Sequence, residues 1–542
     1  MNTLIAMEIT YRKIKLTVKN IIEFVARPIT VQPVFFLLIF LLLNILDLYS
    51  IIVAHGQSPL LKLASGFLLC YIVSCPVIIF PSLFRKLYKI LVLVISVGLF
   101  LIDLYLVILY NETFRTLSPD VIAAMLVTNP AEAGEYLSTY LTIGKIVVLF
   151  GVISLLLFAF SILRKVQFSL RSSSKYVSFF FLVLSCLVCI LCFNWTVFGN
   201  VYLLVTRTCP DLNEYRQNPT VSFKEEAPEN IVFIIGESFS KMHSSLYGYD
   251  KHTNPKLEAL RDSGALHVYD NVTSACLTTI PAIKSLMSGY VSNRIQKGSW
   301  YESLTLLEIM QKSGYEIFWV STPVKYGIHE NEVGRYADMC DGQTFVNDNK
   351  NDGEFLKDEE LVHALDEYVE KKMGRKLYVV HMMGSHFSYS DRYPENFERL
   401  KPEDYIASHQ NLSYKNRKIL SEYDNSVIYN DSVVCEIMKK FENQDAVVVY
   451  LSDHGQDVFV SSDDYAGHPR RGNEVSERVG YEIPLMVYTT PLFREKHPQL
   501  QERIERSVST PYRTDSIMYT IMDVAGVETV NGVSYKHKSL FR

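Results

Sequence analysis

The sequence predicts a two-part, multi-domain chain: a five-helix transmembrane bundle followed by an α/β domain built on a mostly parallel sheet. Three observations predict it. Five apolar runs stand in succession before residue 200. Beyond residue 220, near-continuous apolar strands alternate with helical stretches. Acids and imidazoles fall just past the ends of several of those strands.

The apolar runs cover 34–54, 63–84, 90–110, 144–163 and 177–199. Each is about the length that crosses a hydrocarbon core of ~30 Å. Buried core helices of a soluble protein are the bland alternative, and five runs in a row argue against it. The first run is too long for a cleavable signal peptide and lacks a small-residue cleavage site. Cations mark alternate loops: Arg12, Lys13, Lys15, Lys19 and Arg27 in the tail, Arg85, Lys86 and Lys89 after the second run, Arg164, Lys165, Arg171 and Lys175 after the fourth. The positive-inside rule makes the tail cytoplasmic and the C-terminal part external, which in a Gram-negative cell is the periplasm. Asp47 and Asp103 interrupt the first and third runs. They read as interhelical hydrogen-bonding groups or as amine-facing acids near the outer leaflet.

The divisions are a transmembrane domain over 1–200, a linker over 201–229 and a catalytic α/β domain over 230–542. Inside the first lies an external loop, 111–143, whose "SPDVIAAMLVTNPAEAGEYLSTYL" reads as one or two short helices starting near Ser118. An amphipathic segment there suits the outer leaflet. The linker's "FKEEAPEN" reads as a polar tether. Net charge is −5, which indicates no polyanionic partner and no nucleic acid. Five cysteines fall in the apolar runs (Cys70, Cys75, Cys186, Cys189, Cys192). Cys209, Cys276, Cys340 and Cys435 allow at most two disulfides, and their pairing is not deducible.

Five strands are predicted: "NIVFIIGES" (230–238), "EIFWVS" (316–321), "KLYVVHMMGSH" (376–386), "DAVVVYLSDHG" (445–455) and "PLMVYTT" (484–490). Such strands are buried on both faces, as in a parallel sheet with helices on each side. Open α/β sheets place their sites at the carboxyl ends of the strands. There stand Glu237, Asp453 and His454. A hard divalent or zinc ion needs carboxylates and imidazoles converging from separate strands. Each residue alone reads equally well as a helix cap; with the Thr278–Thr279 turn they read as a site. His386 follows another strand, and His468 lies in the loop "YAGHPRRG", 14 residues after His454. His381 reads as core. Arg470 and Arg471 read equally as phosphate contacts or as solvated loop residues.

The segments "FIIGES…YGYDKHTNPKLEAL", "NVTSACLTTIPAIKSLMSG", "HMMGSH…DRYP", "YDNSVIYND" and "LSDHG" resemble the phosphoethanolamine transferases of the alkaline-phosphatase/sulfatase superfamily. The resemblance covers nearly the whole chain, five spans included. It implies an alkaline-phosphatase-like fold and a metal-held Thr nucleophile. Thr279, with Pro281, stands where related sulfatases begin their Cys/Ser-x-Pro-x-Arg motif. Ile283 replaces the Arg, and Thr cannot become formylglycine, which argues against sulfate-ester hydrolysis. A Thr hydroxyl is a poor nucleophile until a cation activates it.

By the same resemblance, Glu237, Thr279, Asp453 and His454 hold one tight zinc, with a second compatible with turnover; manganese also suits such ligands. His386 and His468 hold the phosphoryl group or that second metal and protonate the leaving oxygen. Thr128 and Glu132, four residues apart on one helix face, match positions that recognise the lipid's ethanolamine. Ala124 stands where the family often has Asn.

The implied protein is a monomeric enzyme of the bacterial inner membrane. It works among membrane lipids and passes phosphoethanolamine from phosphatidylethanolamine, through a phospho-threonine, to lipopolysaccharide at lipid A or a core sugar. "GIHENEV" (327–333) leans toward the core-sugar branch. One alternative is a glycerol-phosphate transferase of the lipoteichoic-acid-synthase type, whose neutral head group needs no acid such as Glu132. The other is a non-catalytic metal-binding membrane sensor, against which the intact ligand set argues.

Overall fold

The computed structural model of the chain describes residues 26–53, 59–110, 154, 211–290, 300–325, 332–348, 355–370, 374–470 and 472–542. It divides into two compact units, Met1–Arg207 and Thr208–Arg542.

In the first unit, the runs expected at 34–54, 63–84 and 90–110 fall on helices Pro33–Val53, Pro59–Ser74, Pro76–Ile79 and Ser82–Tyr110. Pro76 has no N–H to donate, and the second run breaks there. Asn44 is buried and donates to Phe40 O at 2.9 Å. A side chain at Gly66 would overlap its amide, so these two helices touch where one residue has no Cβ. Counted over the described residues, no helix is long and apolar enough to cross a membrane. The runs at 144–163 and 177–199, the loop 111–143 with Ala124, Thr128 and Glu132, and the side chains of Asp47 and Asp103 lie outside the described residues, residue 154 apart.

The strands of the second unit are β1 (Val221–Phe223), β2 (Asn230–Gly236), β3 (Leu266–Tyr269), β4 (Val272–Thr273), β5 (Tyr315–Ser321), β6 (Gly342–Phe345), β7 (Arg375–His381), β8 (Ala446–Ser452), β9 (Asp457–Val458), β10 (Ala466–Gly467), β11 (Leu485–Thr489), β12 (Tyr512–Arg513) and β13 (Val527–Val530). Seven of them form one sheet in the order β3-β11-β8-β2-β7-β5-β6. Every residue of β2 and β8 is buried. Successive side chains alternate between faces. Ile231, Phe233 and Ile235 join a core with Val447, Val449 and Leu451. Val232 and Ile234 join another with Val448 and Tyr450. Helices Thr279–Ser288 and Ile517–Val524 cover the first core, and the 27-residue helix Tyr414–Lys440 covers the second.

Three features depart from the sequence reading. β11 runs antiparallel to both its neighbours, so the sheet is mixed although mostly parallel. β3 and β6 are additional short strands. The stretch 211–229 is not a loose tether: β1 pairs with β13, Leu212 is buried, and Arg216 donates to Gln311 Oε1 at 2.9 Å. Asn213, Arg216 and Gln217 have side-chain partners in the fold, which a composition-based reading does not see.

Candidate active site

Sheet register builds the site. Gly236 pairs with Ser452 in the parallel β2–β8 ladder, so Glu237 and Asp453 emerge side by side as both strands end. The backbone closes the gap, with Asp453 N donating to Gly236 O at 2.9 Å. One ligand atom each from Glu237, Asp453 and His454 lies within 4.8 Å of the others, and all three residues are buried. His454 Nε2 is 3.4 Å from Glu237 Oε1 and 3.5 Å from Asp453 Oδ2. Its Nδ1 lies 2.9 Å from Gly455 O, an acceptor for the Nδ1 proton, so Nε2 is the nitrogen that faces the two carboxylates.

Ser238 sits at φ +56° beside them. Its N–H donates to Asp453 Oδ1 at 3.0 Å and its hydroxyl to Glu237 Oε1 at 2.8 Å. His454 N adds 2.7 Å to Asp453 Oδ1. Asp453 Oδ2 is left buried with no hydrogen-bond partner. Burial opposes charge on Glu237, yet the hydrogen bond and charge of His454 hold its pKa well below the usual range. Burial and the Glu237 charge push Asp453 far above it. Burial lowers His454, but Asp453 and Glu237 outweigh it and raise its pKa to about 9. Two buried acids beside one imidazole form a set that a cation would neutralise.

Thr279 opens the helix Thr279–Ser288, with Thr278 as its extended N-cap residue. Pro281 falls in the first turn, where no N–H is required. Thr279 Oγ1 donates to Glu237 Oε2 at 3.0 Å and lies 3.5 Å from His454 Nε2. Thr278 is exposed. The segment before the helix is pinned in place: β4 pairs with β12, Ala275 N donates to Thr514 Oγ1 at 2.9 Å, and the Ser274 hydroxyl donates to Asp453 O. Ile283 is fully buried in the core, where an Arg could not be solvated. Cys340 and Cys435 are free thiols, and Cys209 lies outside the described residues.

The two further histidines approach from separate loops. Ring centroids of His468 lie 5.1 Å from His454 and 6.3 Å from His386. His386 Nδ1 is 2.8 Å from Phe387 O, which turns its Nε2 outward from that contact. His468 is exposed on a loop closed by β9 and β10. Asp457 holds that loop by accepting from Ser461 N and from the hydroxyls of Ser461 and Ser476. Arg470 donates to Ser461 Oγ at 2.8 Å and lies 4.1 Å above the Tyr465 ring, so it braces the loop. Arg471 lies outside the described residues. His381 is core: it is buried 3.3 Å from Ser321 Oγ, and burial pulls its pKa down to about 4.

The sulfatase family model matches residues 229–527. The chain belongs to the sulfatase family. Among curated members, it is 26% identical over 517 residues to phosphoethanolamine transferase EptC of Escherichia coli K12, covering 89% of this chain and 87% of that protein. It is 24% identical over 328 residues to the Kdo(2)-lipid A phosphoethanolamine 7''-transferase of the same organism, covering 58% of this chain and 55% of that one. A zinc complex of the periplasmic domain of E. coli EptC matches 60% of this chain and 90% of that domain, at 26% identity and TM-score 0.53. The integral membrane lipooligosaccharide phosphoethanolamine transferase A of Neisseria meningitidis shares the fold over 94% of this chain and 97% of its own, at TM-score 0.62 and 18% identity.

Proposed function

We propose that this sulfatase-family chain is a zinc-dependent phosphoethanolamine transferase of the bacterial inner membrane. It takes the group from phosphatidylethanolamine and passes it to lipopolysaccharide. The observation that carries the reading is Thr279 Oγ1, 3.0 Å from Glu237 Oε2 and 3.5 Å from His454 Nε2, at the mouth of a three-ligand cluster. Two carboxylates and an imidazole are donors that zinc takes, and the unpartnered Asp453 Oδ2 supplies an open valence, so these residues fit the ion. When bound, zinc supplies Lewis acidity that lowers the pKa of a hydroxyl and offsets phosphoryl charge.

The protein's own residues supply the rest. The Thr279 hydroxyl, oriented by its bond to Glu237 Oε2, would lose its proton to water once a bound cation lowers its pKa. Thr279 Oγ1 then attacks phosphorus. The bond to the diacylglycerol oxygen breaks, and His386 gives that oxygen its proton. Desolvation of its ring and the two neighbouring histidines pull the His468 pKa down to about 3, which suits it to contact the phosphoryl group as a neutral ring. The first turn of the Thr279 helix directs free N–H groups toward phosphoryl oxygens. In the second half, an acceptor oxygen gives its proton to the histidine left neutral by the first half and attacks the phospho-threonine phosphorus; the bond to Thr279 Oγ1 breaks and Thr279 leaves.

Membrane placement rests on two supports. The first apolar run of the sequence, 34–54, is about the length that crosses a hydrocarbon core of ~30 Å. Helix Ser82–Tyr110 exposes Leu83, Phe84, Leu87, Ile90, Leu91, Val94 and Ile95, a face suited to lipid rather than water. Thr128 and Glu132 are proposed to read the ethanolamine amine. The test is transfer in vesicles of phosphatidylethanolamine with lipopolysaccharide, followed by mass spectrometry. Diacylglycerol and head-group-modified lipopolysaccharide are expected. Transfer from phosphatidylglycerol alone would instead establish the glycerol-phosphate chemistry.

A further inference from the structure

The loop that carries His386 leaves β7 and folds back over the backbone of Glu237. Met382 N donates to Ile235 O at 2.9 Å, and Ser385 N donates to Glu237 O at 3.0 Å. Between them, Gly384 has φ +54°. A Cβ there would stand 2.6 Å from Glu237 O and 2.8 Å from Glu237 N. Loop and ligand strand therefore touch backbone to backbone. The N–H groups of Met383 and Gly384 turn the other way, to a single side chain. Asp358 Oδ1 accepts from Met383 N and Oδ2 from Gly384 N, both at 2.8 Å. Asp358 is 3% exposed and stands just before the helix Glu360–Ala364, on a different segment from the site.

We propose that Asp358 is a positioning residue whose carboxylate fork fixes the His386 loop and so sets the place of the His386 ring opposite His454 and His468. The inference rests on the transferase reading. Two adjacent buried N–H groups need two acceptors, and an ionised carboxylate presents two with no donor. Asparagine would satisfy one N–H and face the other with its own NH2. Burial raises the pKa of Asp358, and a Thr322 hydrogen bond, the two N–H bonds and the charge of Arg392 pull it back down without cancelling the shift. The ring depends on the same backbone, because His386 Nδ1 is anchored on the carbonyl of the next residue, Phe387. Arg392, on the following turn, donates to Ser388 O at 3.2 Å and secures the far side of the loop. Sequence alone does not reveal this role: "LKDEEL" reads only as a helix start.

The test uses the full-length protein in phosphatidylethanolamine vesicles, with Asp358→Asn, Asp358→Ala, His386→Ala and the Asp358→Asn/His386→Ala double variant. Three quantities are read: diacylglycerol release, bound zinc, and the rate at which diethyl pyrocarbonate modifies His386, mapped by peptide mass spectrometry. Asp358→Asn is expected to lower kcat about 10–100-fold, with donor KM and bound zinc unchanged, because misplacement of a catalytic group acts on the chemical step. On the His386→Ala background it should cost less than about 3-fold, since both changes remove one function. His386 modification should change several-fold. Full multiplication of the two single effects, or an unchanged kcat, would overturn the proposal. Should Asp358→Ala not fold, Asp358→Asn keeps one acceptor and carries the test. If the wild type releases no diacylglycerol, the transferase reading has failed and the His386 modification rate decides alone: a change supports the positioning role, and an unchanged rate overturns it.

Discussion

Strand β8 carries an aspartate at each end, and the two behave differently. Asp445 precedes it, Asp453 follows it, and both are almost fully buried. Each has a histidine for company. His497 Nε2 lies 3.1 Å from both oxygens of Asp445, and Lys496 Nζ lies 3.5 Å from one of them. That pair is closed, with its charge met inside the fold. At the other end, His454 Nε2 stands 3.5 Å from Asp453 Oδ2, an oxygen with no hydrogen bond, and Glu237 crowds in as a second acid. That pair is open. The lesson is that residue type does not separate a structural ion pair from a metal centre. Unmet valence does, and the parallel register at the carboxyl ends of β2 and β8 creates it.

The largest effect that sharpens this contrast comes from matched substitutions at the two ends. Asp453→Asn should lose most bound zinc and lower transfer by more than about 10³-fold, whereas Asp445→Asn should keep both within about 3-fold of wild type. Zinc analysis and vesicle transfer on the same preparations check this. Equal losses at both ends would erase the distinction.

Next come the two histidines that face the cluster without belonging to it. His386→Ala and His468→Ala should each lower turnover by roughly 10²–10⁴, the usual range for an acid or base, with zinc retained. Retained turnover in both variants would return them to ordinary loop residues.

The smallest effect is on stability, and it reverses the order. Asp445→Asn should destabilise the protein by about 1–3 kcal/mol, because His497 and Lys496 lose the charge they face. In chelator-treated protein, Asp453→Asn should cost less than Asp445→Asn, since it removes a buried carboxylate lacking a full set of partners. Thermal unfolding with and without chelator reads both. The chelator should lower the wild-type Tm and leave Asp453→Asn nearly unmoved.

Much of this contrast was legible in the sequence. "NIVFIIG" and "AVVVYLS" are apolar on both faces, so their strands and central place follow from composition. Glu237, Asp453 and His454 follow those strands directly, and the register brings them together. Thr279 was separated from Thr278 by resemblance, and burial now distinguishes them too. Other elements were less legible. "LMVYT" is buried in either orientation, so nothing in it announces that β11 runs backward. β3 and β6 are four residues each, and "GQTF" is too polar to read as a strand. Ser238 at φ +56° looks like any serine until its two partners are in place. Residues 211–229 look like a tether because their partners, Gln311 and β13, lie about 90 or more than 300 residues away.

The central claim is that Thr279 is the group that carries phosphoethanolamine from one lipid to the next. The most direct test incubates the full-length protein with phosphatidylethanolamine, without acceptor, and maps modified peptides by mass spectrometry. An adduct of about 123 Da on Thr279, absent from Thr279→Ala and present in Thr278→Ala, is the expected result of double displacement. An adduct on Thr278, or continued transfer by Thr279→Ala, would contradict it.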